Sequence, residues 1–167
     1  MDCVVVYKED FENIDFFVNT QQYIPIDIKD NLEWNILHPA YPHGNIPIPF
    51  FNDTYAMSVE GVWEALKLFN TCGVDDSKFY ISTMLNLRRD ENYYGTYIGH
   101  RIGNNILTFD KAYNVIYTEL YLMILKRKNV KKIFNSLKKI NIKQPILVID
   151  DTPEMLYGKI LQMKLKE

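Results

Sequence analysis

The sequence predicts an α+β fold: a single domain over residues 1–167, mostly helical, with a few short strands. Three observations lead there. A chain of 167 residues, 47% hydrophobic and 14% aromatic, is long and apolar enough to bury a real core. Residues 58–70, 110–128 and 130–140 space their apolar side chains at the helical period. Short apolar runs such as "CVVVYK" and "QPILVIDDTP" are bounded by polar or turn residues, as buried strands are.

Taken in order, "CVVVYK" is the first strand, and "FFVNTQQYIPIDI" (16–28) reads as irregular or extended. "LHPAYPHGNIPIPFFND" (37–53) holds four prolines and one glycine, so φ is fixed repeatedly and an extended, stiff loop is expected. A helix follows from Ser58, which suits the N-cap, to about Asn70, where "NTCGVDD" ends it. "DDSKFYISTMLNLRR" (75–89) is expected as a second helix or helix–turn segment, and "DENYYGTYIGHRIGNNILTF" (90–109) as turn-rich chain. From Asp110 to about Lys128 a long helix buries Ala112, Val115, Ile116, Tyr117, Leu120, Met123 and Ile124. A lysine-rich helix then places Val130, Ile133, Phe134, Leu137 and Ile140 on one side, and a closing helix starts at about Pro153. No repeat, low-complexity tract or linker interrupts the chain.

A net charge of −2 gives no global drive toward nucleic acid or membrane. Cys3 and Cys72 are too few for a disulfide framework or zinc knuckle, which favours a reducing compartment. No apolar run reaches the roughly 18 residues of a membrane span, and "MDCVVVYKED" lacks the basic-then-apolar order of a signal peptide. The expected location is the cytoplasm, or host cytoplasm if the protein is viral. Abundant Asn, Ile, Lys and Tyr match the composition of AT-rich genomes, many phages and viruses among them.

Within "TYAMSVEGVWEALKLF" an apolar stripe runs from Phe69 through Val62, Leu66 and Val59 to Trp63, and Glu60, Glu64 and Lys67 begin where Trp63 ends. Two readings compete for that charged edge. It is either a solvated face with a Glu64–Lys67 ion pair at i, i+3, or the lining of a pocket. Asp150 and Asp151 end an apolar strand, where functional carboxylates sit, or they cap the closing helix. "YIGHRIGNN" sets His100 and Arg101 between glycines, either as an anion-binding pair or as a plain surface turn. His38 and His43 flank the proline loop without a third ligand, so no metal site is expected. Lys126, Arg127, Lys128, Lys131, Lys132, Lys138, Lys139 and Lys143 form an acid-free basic segment. It is either a solvated helix face or a surface for phosphate or nucleic acid, although aromatic residues for base stacking are scarce.

"AMSVEGVWEALKLF" resembles the signature of the NADAR family, approximately W-P-T-V-E-H-Y-Y-Q-A-x-K-F. On that match Ser58 stands for the threonine, Glu60 for the glutamate and Gly61 for the histidine. Glu64 takes the glutamine position, Ala65 the alanine and Lys67 the lysine. "PHGNIPIPFF" lies where that family has F-S-N-F-x-P-x-P-I, and Asp110 where it has D-W. "LVIDDTPEML" resembles its late L-x-E-x-S-P-x-D-x-x-W-G segment, with Leu156–Tyr157 in place of the tryptophan and glycine. A closer likeness, over roughly residues 37–160, is to an uncharacterised family carrying S-P-F-Y-P-H-G-G-I-P-V-P, S-V-E-G-I-W-Q-G-L-K and G-H-R.

The NADAR resemblance implies a NADAR-like fold and an N-glycosidase that cleaves a bond to ribose in ADP-ribosylated bases or ribosylamino intermediates. Such cleavage passes through an oxocarbenium-like state that a carboxylate stabilises. Glu60, Glu64 and Asp151 are then the catalytic candidates. Trp63, Lys67, His100, Arg101, Asp150 and His43 are the substrate-binding ones. No cofactor is implied. The expected partner is a small-molecule or nucleic-acid-linked ribosyl substrate, with no membrane, and the sequence specifies no oligomeric state. Gly61 and Glu64 change the face that would meet substrate, so an inactive nucleotide or nucleic-acid binder on the same fold is the alternative. A third reading is a protein–protein interaction module. The first two need Glu60, Trp63 and Lys67 to line a concavity, and the third an exposed apolar patch.

Overall fold

The computed structural model describes residues 2–11 and 22–167. The fold is α+β, with helix at 44% and strand at 19%, so helix outweighs strand as the apolar periodicities predict. In chain order the strands are β1 (Cys3–Tyr7), β2 (Ile24–Asp27), β3 (Ile46–Pro47), β4 (Tyr55–Ala56), β5 (Lys67–Phe69), β6 (Tyr97–Ile102), β7 (Asn105–Leu107) and β8 (Ile146–Asp150). The helices are α1 (Val59–Leu66), α2 (Glu91–Tyr94), α3 (Phe109–Ala112), α4 (Glu119–Leu125), α5 (Lys128–Lys143) and α6 (Leu156–Lys166). The chain comprises two compact units, Met1–His38 with Leu125–Glu167, and Pro39–Ile124. No helix among the described residues is long and apolar enough to cross a membrane.

The first unit is built on a three-stranded parallel sheet in the order β1–β8–β2. Its centre, β8, is buried at every residue, as the unbroken apolar run "ILVI" requires of a strand covered on both faces. Helix α6 packs on β1 and β8. It comes close enough at Gly158 that a Cβ there would meet Val5 Cγ1 at 2.4 Å and Asp150 Oδ2 at 2.9 Å. Helix α5 packs on the 3-10 turn Asn35–Leu37, burying Val130 and Leu137. Of the segment read as irregular or extended, residues 16–21 lie outside the described residues, and Ile24–Asp27 is extended as β2.

The second unit holds the antiparallel sheet β5–β6–β7 and the short ladder β3–β4. Helix α1 lies against β4, β6, the 3-10 turn Asp76–Tyr80 and the π-helix Tyr113–Thr118. Trp63, Val59, Val62, Leu66 and Phe69 are all buried there, as the helical stripe predicts. Covering one indole is worth roughly 4–6 kcal/mol of transfer free energy.

Several boundaries differ from the sequence reading. Helix α1 stops at Leu66, four residues before Asn70, because Lys67–Phe69 turn extended and pair with β6. The span 75–89 holds only the 3-10 turn Asp76–Tyr80. The turn-rich span 90–109 contains the β6–β7 hairpin. Its two-residue loop opens with Gly103 at φ +56°, the left-handed first position that a type II′ turn needs. The helix expected over 110–128 starts at Phe109, widens into the π-helix and ends at Leu125; Val115, expected on the buried side, is 54% exposed. The closing helix begins at Leu156 rather than Pro153, after Met155 in a left-handed conformation.

Candidate functional site

Helix α1 starts where the sequence places it. Ser58 is extended, and its hydroxyl accepts a hydrogen bond from the Gly61 amide at 2.9 Å. Gly61, which stands at the NADAR histidine, has no room for a side chain. A Cβ there would lie 2.7 Å from the Lys78 backbone carbonyl, so α1 meets the 3-10 turn only because the position is glycine. All eight α1 residues are buried, which overturns the reading of a solvated helix face. Glu60, 6% exposed, sits in the first turn, where the helix dipole favours a negative charge.

Glu64 is 2% exposed and compensated on both oxygens. Lys67 Nζ donates to Oε1 at 2.6 Å, which is the expected i, i+3 pair, and the Arg89 amide donates to Oε2 at 2.7 Å. Arg89 has no precedent in the sequence reading. Its guanidinium, itself buried, donates to the carbonyls of Glu64, Ala65 and Lys67 at the C-terminal end of α1, and to Gly73 at 2.7 Å. It also lies over the rings of Phe69 and Tyr94 at 5.1 and 4.9 Å. A cation at the carbonyl end of a helix, satisfying orphan acceptors, closes α1 where no glycine or proline does so. The Lys67 side chain, 17% exposed, reaches water further than Glu64 does.

His100 and Arg101 do not form a pair. They are consecutive on β6, so their side chains take opposite faces: His100 is fully buried and Arg101 exposed. The His100 ring lies 3.8 Å from that of Trp63, and its Nδ1 shares a 2.7 Å hydrogen bond with the Tyr97 hydroxyl. Burial, then the Lys67 charge, lower the His100 pKa to about 3 against a small opposing effect of the Trp63 backbone. Nε2 is buried without a well-formed hydrogen bond. Trp63 also meets Phe109 and Tyr117 edge-on, so its faces are spent inside this cluster. His43 lies beside Tyr41, with ring centroids 5.0 Å apart.

The neutral His100 sets a pH dependence. The unfolded chain takes up a proton near pH 6.5 that the folded state refuses until about 3. The stability this provides is full above the unfolded pKa and is lost as pH falls, on the order of 3 kcal/mol by about pH 4. His100→Phe keeps a ring on Trp63 and removes the titration. Urea unfolding should therefore show wild type losing about that much stability relative to the variant from about pH 7 to pH 4. A gap independent of pH would mean that His100 is not held neutral.

Asp150 and Asp151 lie in the first unit, at the carboxyl end of the central parallel strand. Asp150 is fully buried and accepts from the Thr152 amide and hydroxyl at 2.8 and 2.6 Å and from the Gly158 amide at 2.7 Å. The Thr152 hydroxyl accepts in turn from the Leu156 amide, so Asp150 organises the start of α6. Burial outweighs these donors and pushes its pKa up to about 6. Asp151 points elsewhere. His38 Nε2 donates to its Oδ1 at 2.8 Å, and Lys29 Nζ to its Oδ2 at 2.6 Å. Burial works against the charged form, yet His38 and Lys29 together hold this carboxyl well below the usual range. His38, buried against Tyr157, is lowered by burial despite Asp151. Two adjacent carboxyls with pKa values driven apart are the pattern of an acid and a base. Sequence reading missed the His38–Asp151 contact because the two residues are remote in the chain.

Among the described residues no three His, Cys, Asp or Glu side chains converge as a metal site requires. No curated protein and no solved structure matches the chain. Residues 8–156 match the model of a family of unknown function, DUF6939, and the chain belongs to that family.

Proposed function

We propose that this protein is an N-glycosidase that hydrolyses the bond to ribose in an ADP-ribosylated base or related nucleotide-like substrate in the cytoplasm. The observation that carries the reading is the burial of Glu60 and Glu64 along one edge of α1, with half-buried Lys67 paired to Glu64 just past its end, in the stretch that resembles the NADAR signature. Burying charge costs free energy, and such groups concentrate where chemistry needs them. Glu60 is the carboxylate that stabilises the oxocarbenium-like state. Glu64, tied to Lys67 and the Arg89 amide, positions Lys67, which holds a phosphate.

Incubation with guanine-ADP-ribosylated DNA or a ribosylamino-pyrimidine phosphate should release ADP-ribose or ribose phosphate. Glu60→Gln should lower kcat about 100-fold or more while the melting temperature stays nearly constant, and Lys67→Ala should raise KM. A large stability loss from Glu60→Gln would mark a structural carboxylate and sink the reading. The second reading, an inactive nucleotide binder, is favoured by Glu64 having both oxygens engaged and by Gly61 having no space for the histidine. ADP-ribose raising the melting temperature with no product from any substrate would select it.

A further inference from the structure

We propose that the outer face of α5 docks on the phosphate backbone of duplex DNA. Helix α5 carries six lysines and no acidic residue, so the chain's net charge of −2 divides into +6 on this helix and −8 elsewhere. Lys128, Lys131, Lys132, Lys138, Lys139 and Lys143 fall within an arc of about 140°, opposite buried Val130 and Leu137. Among the described residues none of the six forms an ion pair. The arrangement opposes helix stability. Lys128 repels Lys131 and Lys132, Lys139 repels Lys143, and Lys128 stands at the positive end of the helix dipole. A charge pattern unfavourable to its own helix is matched by a polyanion that neutralises it.

The chemistry of the face selects the partner. A helix that inserts into a lipid surface turns an apolar side outward. Here the apolar side is turned into the fold, and the outer face shows one exposed aliphatic residue, Ile142. Single-strand binders stack bases on aromatic rings. The only aromatic residue of α5, Phe134, is half-buried on the inner side. Lysines spread along about 24 Å of helix span roughly seven base-pair steps and, as point charges, read no sequence. The docking face is independent of any hydrolytic activity.

The test uses the full chain and an unmodified, fluorescein-labelled, mixed-sequence DNA duplex about two helical turns long, so a missing glycosidase activity leaves it unaffected. Anisotropy should show binding at about 50 mM salt, falling on the order of 100- to 1000-fold by about 200 mM. Lys128→Gln/Lys132→Gln/Lys139→Gln should weaken binding at least about tenfold, and the same three positions changed to arginine should retain it. Lys111→Gln/Lys159→Gln/Lys166→Gln removes equal charge elsewhere and should stay within about threefold of wild type. Equal weakening by the two glutamine triples, no binding at low salt, or tighter binding to phosphatidylserine vesicles or single-stranded DNA than to the duplex would each overturn the proposal.

Discussion

Arg89→Met should lower unfolding stability by about 4 kcal/mol or more, the largest single-site effect expected in the second unit. The guanidinium satisfies the carbonyls of Glu64, Ala65, Lys67 and Gly73, all held in or beside the C-terminal turn of α1. The Ala65 carbonyl also accepts from the Asp75 amide at 2.9 Å. Methionine fills most of the volume and replaces none of the bonds, so buried acceptors lose their partners. The cation over Phe69 and Tyr94 is lost as well. Arg89→Lys should recover little, since a single ammonium cannot span the same acceptors as a planar fork. Urea unfolding measures the loss, and a cost below about 1 kcal/mol would show that water replaces the guanidinium without penalty.

Asp150→Ala should cost about 3 kcal/mol or more, because three donors converge on this fully buried carboxyl and two of them come from Thr152, which holds the Leu156 amide. The α6 start would lose its anchor on the central strand. The penalty has a definite pH sign. A folded pKa raised to about 6 means that this group stabilises the fold most below its unfolded value near 4, and that the contribution is lost as pH rises through about 6. The variant should therefore be more harmful near pH 4 than near pH 8. Denaturant titrations at the two pH values decide it, and the opposite order would mean that Asp150 is ionised throughout.

Local patterns in the sequence determined the start of α1, the buried stripe of Val59, Val62, Leu66 and Phe69, the Glu64–Lys67 pair, the buried run of β8 and the basic face of α5. Each depends on residues within a few positions of one another, which helical or strand periodicity and capping chemistry make legible. The same patterns could not reveal that the polar edge of α1 is buried. That depends on the Arg89 amide and guanidinium, about 25 positions away, covering what helical spacing reads as a water face. Nor did α1 carry its own stop signal: pairing of Lys67–Phe69 with β6 ends it, and a strand partner is a tertiary choice. His100 and Arg101 look alike between their glycines, and only the pleat of β6 sends one inward and the other out. The joining of His38 and Lys29 to Asp151 across 113 and 122 positions of chain was likewise decided by the tertiary fold. Parallel pairing places the ends of β2 and β8 side by side, and no local rule encodes which distant strands meet.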